Sequence, residues 1–279
     1  MKTILIPVDL AGEAEHVLTY AADFCVDVKV ERVILLKSHY VSVYTQVLPT
    51  PDFVQLSADE ISEERTIQEA RLKALGAKMM VRCNCMFDVQ TTFSTQPLLR
   101  AIHDEIAGKE PNLVMIGSDK TANEDGSYLG EQLISIAKTS PVPVMVIPDG
   151  VQYRQIEEAV VPCDFGVISH LNALKDFHKR QRWIHPSLMV LNINGRQKYI
   201  SEDKQLTDNL LDMLEGFDYR VYHSDDKDTV HGILSFARQH DVQMIISLPG
   251  KYSFFYNLTH RSISNALALN ATRPVLILK

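Results

Sequence analysis

Apolar residues recur along the chain in short unbroken runs separated by stretches with helical spacing. Ile4 to Pro7 is one such run, and Val17, Ala21, Phe24 and Val28 then fall on one face of a helix drawn over Glu13 to Val28. Val33 to Leu36 is a second run. Ser57 and Glu60 have capping-box spacing, which predicts a helix ending at Gly76, and Met79 to Phe87 reads as the next strand. Pro97 opens a helix with its stripe on Leu98, Leu99, Ile102 and Ile106. Leu113 to Ile116 stops at Gly117, a polar stretch follows, and Gly130 opens a helix carrying Leu133, Ile134 and Ala137. Pro143 to Ile147 closes the series. Strands without alternation are those buried on both faces, so the order predicts a mainly parallel sheet covered by helices.

The pattern then repeats. Val160 to Phe165 answers Leu5 to Leu10 at an offset of 155, and Pro274 to Ile277 answers Pro143 to Val146 at an offset of 131, so the second copy is 24 residues shorter. Between them, Leu188 to Ile193, Phe217 to Tyr222 and Met244 to Ile246 supply strands, and Val230, Ile233, Leu234 and Ala237 a helical stripe. The expected domains are 1–148 and 156–279, joined through a linker at about Pro148 to Gln155 with a turn at Asp149-Gly150. The two terminal strands are apolar edges of the kind that need covering, and pairing them within one chain gives an internal pseudo-dimer. A further homodimer stays open.

Composition narrows the class of function. The 279 residues are 46% hydrophobic and 23% charged with a net charge of −7, which argues against a nucleic-acid partner. No run reaches the ~20 apolar residues of a membrane span, and the four cysteines form no dense framework, so a cytoplasmic protein with no membrane partner is expected. Neither G-x-S-x-G nor G-x-x-x-x-G-K-[ST] occurs, and no histidine pair has H-E-x-x-H spacing. Cys83-x-Cys85 places two thiols on one face of its expected strand without the partner pair that zinc requires, and reads as core.

The spacing Gly117-x2-Lys120-x9-Gly130-Glu131, with the Pro-x-Asp ending of the first strand, resembles the universal stress protein family in a tandem form. Its nucleotide loop is G-x2-G-x9-G-[ST]; here Lys120 replaces a glycine and Glu131 a hydroxyl residue. The resemblance implies two tandem α/β domains, each an open, mainly parallel five-stranded sheet with helices on both faces, Rossmann-like and similar to the adenine-nucleotide α-hydrolase fold. It implies an ATP or other adenine-nucleotide site, with Mg²⁺ accompanying the nucleotide, from Pro7, Val8, Asp9, Ser38, Gly117, Asp119, Lys120, Gly130, Glu131 and Gln132. Glu131 equally fits as an internal anion at the helix N-terminus, leaving no nucleotide there.

The second copy has Leu248-x2-Lys251-x9-Arg261-Ser262, without the glycines. Phe254 to Tyr256 reads as a packed plug, with an apolar ligand site as the alternative, and Lys251, His260 and Arg261 could form an anion site. The leading expectation is a non-catalytic stress-response or signalling protein with protein partners not readable from sequence. The alternatives are an interaction scaffold with both pockets closed, or a weak ATP hydrolase using Asp9 or Asp119. Asp9 and Asp164 otherwise serve to hold the neighbouring loops.

Overall fold

A computed structural model describes residues 2–9, 14–40, 58–118, 128–163, 165, 169, 171–180, 184–193, 210–248 and 271–279. It divides into two compact units, residues 1–115 and 116–279.

In the first unit the chain runs β1 (Thr3–Pro7), α1 (Ala14–Asp27), β2 (Arg32–Ser38), α2 (Ala58–Arg82), β3 (Asp88–Ser94), α3 (Leu98–Lys109) and β4 (Leu113–Ser118), the division falling inside β4. The strands are parallel in the order β3-β2-β1-β4. Thr3 to Pro7 align with Arg32 to Leu36, and Arg32 to Ser38 with Asp88 to Ser94. Helix α2 packs on β3 and β2, and α3 on β2 and β1. Ile4, Leu5 and Ile6, Val33 to Leu36, and Leu113 to Met115 are fully buried, as unbroken apolar runs in a covered parallel sheet must be.

Two expectations fail here. Helix α2 does not stop at Gly76, and Met79 to Arg82 are its last turn rather than a strand. A Cβ at Gly76 would lie 3.1 Å from Thr91 Cγ2 of β3, so this glycine allows close helix–sheet packing instead of ending the helix. The helix stops later, where Asn84 and Cys85 adopt left-handed φ of 50° and 55° and the Cys85 N–H bonds the Met80 carbonyl at 2.9 Å. Cys83-x-Cys85 therefore lies in a helix-ending turn, with Cys83 buried and Cys85 exposed. The third strand begins at Asp88 and is half polar, as an outer strand of this unit can be. Ser57, the expected cap of α2, lies outside the described residues.

The second unit contains α4 (Tyr128–Thr139), β5 (Val144–Pro148), β6 (Glu158–Pro162), α5 (Asn172–Arg180), β7 (Ser187–Ile193), β8 (Tyr219–Ser224), α6 (Thr229–Gln239), β9 (Met244–Ser247) and β10 (Val275–Ile277). Its strand order is β5-β10-β9-β6-β7-β8. All neighbours are parallel except β5 and β10, which pair antiparallel with Val275 opposite Val146 and Ile277 opposite Val144. The two apolar terminal strands thus cover each other's edges. The order β8-β7-β6-β9 reproduces β3-β2-β1-β4, which is the repeat seen in the sequence. The residues of helix α5 are mostly polar, and Leu174 and Phe177 are its buried anchors.

Between β5 and β6, residues 151–157 belong to no helix or strand and are tied to residues beyond β6. Arg154 makes a two-pronged pair with Asp241 (3.0 and 2.9 Å), and Arg273 reaches the same carboxylate at 2.6 Å. Hydrogen bonding from Arg154 and the charge of both guanidiniums hold the Asp241 carboxyl below its usual range. Gln243 Oε1 accepts from the Glu157 and Glu158 N–H groups. Lys279 donates to the Ala137 carbonyl near the end of α4, and burial lowers its ammonium pKa to about 8. Among the described residues no helix is long and apolar enough to cross a membrane.

Two outcomes follow. Leu276→Ala, at a fully buried position of β10, should lower the unfolding free energy by about 3 kcal/mol in urea titration, while Val81→Ala at an exposed site should stay within about 0.5 kcal/mol. For Lys279 the folded-state pKa lies below the unfolded value of 10.5, so between about pH 8 and 10.5 the unfolded chain binds more protons. Wild type should therefore gain stability relative to Lys279→Met across that window and level off above it; parallel pH profiles for the two proteins would show that the amine is fully hydrated.

Candidate functional site

Polar side chains in a sheet of this kind gather at the strand ends, and the carboxyl ends are where open α/β sheets bind ligands. At the end of β1, Pro7 is half-buried, and Val8 is buried with its N–H donating to the Leu36 carbonyl at 2.9 Å. Asp9 follows, exposed, and its Oδ1 accepts from Lys37 Nζ at 3.2 Å. Lys37 is the better buried of the two, so the pair holds the strand end in place more than it adds stability. Ser38 ends β2, and its hydroxyl donates to the Gln96 carbonyl at 2.7 Å, while the His39 N–H bonds the Ser94 carbonyl at 2.8 Å. The first unit thus brings together Pro7, Val8, Asp9 and Ser38 on the adjacent ends of β1 and β2, laced to β3 by backbone.

In the second unit, Gly117 and Ser118 end β4. Ser118 was read from sequence only as a turn former. It is 4% exposed, and its carbonyl accepts from the Asp149 N–H at 3.1 Å, yet its buried Oγ has no hydrogen-bond partner. Such an orphan is costly, and a polar ligand group at the strand end would satisfy it. No signal in the sequence separates this serine from a solvated one. Gly130, Glu131 and Gln132 fall in the opening turns of α4, which starts at Tyr128, two residues earlier than expected. Their side chains, and Asp119 and Lys120 altogether, lie outside the described residues, so Glu131 as an internal anion is neither placed nor displaced.

The second copy keeps the backbone and changes the side chains. The Cys163 N–H bonds the Leu191 carbonyl at 2.9 Å, the counterpart of Val8 on Leu36. Phe165 is buried with its ring edge-on to His223 at 5.7 Å between centroids, and Leu248, at the position of Gly117, is 4% exposed. Phe165 and Leu248 thus add bulk at these strand ends, while Ser247, which ends β9, is buried with an Oγ that has no hydrogen-bond partner, as Ser118 is. Asp164, Lys251, Phe254 to Tyr256, His260, Arg261 and Ser262 lie outside the described residues.

One acid–base arrangement invites comparison with a hydrolytic triad. His231 Nδ1 lies 2.6 Å from Asp226 Oδ2, and Nε2 lies 3.3 Å from Ser235 Oγ. His231 is exposed, and the Val230 and His231 N–H groups are already taken by Asp228 Oδ1, so the adjacent helix terminus offers no free donors for an oxyanion. Hydrogen bonds from the Asp228 N–H and from His231 hold the Asp226 carboxyl low, while Asp228 itself caps α6. Among the described residues no three His, Cys, Asp or Glu side chains converge to hold a metal.

Comparison with known proteins gives the wider setting. A model of the universal stress protein family matches residues 1–148. A crystal structure of a universal stress protein from Archaeoglobus fulgidus superposes with a TM-score of 0.66 at 18% identity, covering 99% of this chain and 96% of that one. A functionally unknown protein from Pseudomonas aeruginosa PAO1 gives 0.49 at 12% identity, covering 100% and 92%. An Arabidopsis thaliana universal stress protein family protein with AMP bound gives 0.36 at 12% identity, covering 53% and 91%. At these identities the likeness is one of fold. No curated protein matches the chain.

Proposed function

The chain belongs to the universal stress protein family, and from that premise we propose a non-catalytic stress-response module that binds one adenine nucleotide in its first copy. We read it as two tandem domains, 1–148 and 156–279. The observation that carries the binding assignment is the buried, unpartnered hydroxyl of Ser118 directly after Gly117 at the end of β4. Asp9 and Ser38 at the ends of β1 and β2 suit the donor groups of a nucleoside, its ribose hydroxyls and exocyclic amine. Asp9 accepts only, whereas Ser38 keeps free lone pairs after donating to Gln96.

The phosphate half of the assignment comes from the loop pattern. Gly117 and Gly130 leave backbone N–H groups accessible, the terminus of α4 favours an anion, and Lys120 adds a counter-charge where the family pattern has bare backbone. Asp119, Glu131 and Gln132 complete the assigned set. Magnesium, when present, would arrive with the phosphates. The protein's own groups bind and orient. The hydrolase alternative would need Asp9, which is tied to Lys37, or Asp119, which lies outside the described residues. For the second copy, buried Phe165 and Leu248 favour a structural role: it contributes β10, which pairs with β5, and binds no nucleotide.

Native mass spectrometry of the full chain, titrated with ATP and Mg²⁺, should show one nucleotide per chain. Gly130→Arg should abolish uptake with its circular dichroism unchanged. Ser118→Ala should weaken it by roughly fivefold, the worth of one neutral hydrogen bond. Absence of any nucleotide mass, or equal affinity in both variants, would remove the assignment and leave the scaffold reading.

A further inference from the structure

Helix α2 carries two apolar faces. One is spent on the sheet: Leu72, Gly76 and Met79 are buried at helical spacing, and Cys83 just beyond the helix continues the row. The other lies on the opposite side. Ile67, Ala70, Ala74, Ala77 and Val81 follow one another at steps of three, four, three and four residues, and all five are exposed. Ile67 is 46% exposed and Val81 76%. At 3.6 residues per turn this stripe points away from β2 and β3, where a surface helix ordinarily turns its charged side chains. The alternation of three and four is the spacing by which one helix meets another along a straight seam.

The charges of α2 are divided end from end. Asp59, Glu60, Glu63 and Glu64 lie in its first turns with no base among them, and Arg71, Lys73, Lys78 and Arg82 lie in its second half with no acid. Glu63 continues the stripe towards the amino end, and Glu64 and Arg71, both exposed, lie seven residues apart along one edge of it. Arg65 belongs to the other side, over the Phe93 ring and paired with Glu69. The division of charge suits the helix dipole. The uncharged stripe between the two ends has no such reason.

We propose that this face of α2 is the contact for a second copy of the chain, with the two α2 helices antiparallel about a two-fold axis near Ile67 and Ala70. A two-fold contact must be complementary to itself. Antiparallel alignment meets that condition: the acidic first turns of one helix lie over the basic second half of the other, and Glu64 of one protomer comes beside Arg71 of the partner subunit. Parallel alignment sets acid on acid and base on base. Near the axis Ile67 packs on the partner's Ala70, while Val81 falls at the rim. The apolar edge strands β5 and β10 already cover each other within the chain, so this pairing needs neither of them.

The test is analytical ultracentrifugation of the full chain over a range of loading concentrations. The expected result is a monomer–dimer equilibrium. Ala70→Glu, at an exposed helical position that leaves folding intact, should raise the dissociation constant by about tenfold or more, as a change at the centre of a contact does. Glu64→Arg and Arg71→Glu should each weaken association by about fivefold, and the double exchange should recover wild-type affinity because it restores opposite charges across the axis. A chain that stays monomeric at every concentration would overturn the proposal and leave the stripe to a helix of another protein. A dimer unmoved by Ala70→Glu, or a double exchange no tighter than the single ones, would overturn it as well.

Discussion

A parallel strand covered on both faces has no place for a polar side chain except at its ends, and this confines the chemistry of the protein to the strand termini. The middles of β1, β2 and β4 are fully buried aliphatic residues whose backbone groups are spent on their neighbours. Every residue assigned to the nucleotide sits where these strands give out, or in the loop and helix that follow β4.

The two halves of the chain keep one strand order while the side chains at the strand ends differ. The bond from Val8 to Leu36 reappears as Cys163 to Leu191, and the strand order is repeated. What changes is bulk: Gly117 becomes Leu248, and the Asp9-Leu10 pair becomes Asp164-Phe165 with the phenyl ring buried against His223. A packed leucine and phenylalanine at the strand ends stabilise the second copy by the same contacts that close it to a polar ligand.

Much of this was legible in the chain itself, because burial on both faces writes itself as unbroken apolar runs and the repeat marks every strand twice. The errors have physical causes. Gly76 looked like a helix stop, but glycine also permits close approach, and Thr91 of β3 lies against it. Strand β3 is only half-buried, and its DVQTTFS carries little of the apolar signal that betrays the others. At the site, Pro7, Asp9 and Gly117 were readable from their position after apolar runs. The unsatisfied state of the Ser118 hydroxyl is a property of burial, which no local pattern encodes.

The antiparallel pairing of β5 with β10 joins Val146 to Val275, residues 129 apart in the chain. During synthesis the apolar edge of β5 therefore leaves the ribosome long before its cover exists. At about 5–20 residues per second the wait is roughly 6–26 s, far longer than hydrophobic collapse takes. The nascent chain carries an unpaired Val-Met-Val-Ile edge for that interval, and whatever shields it in the cell is as much a determinant of yield as the stability of the finished fold.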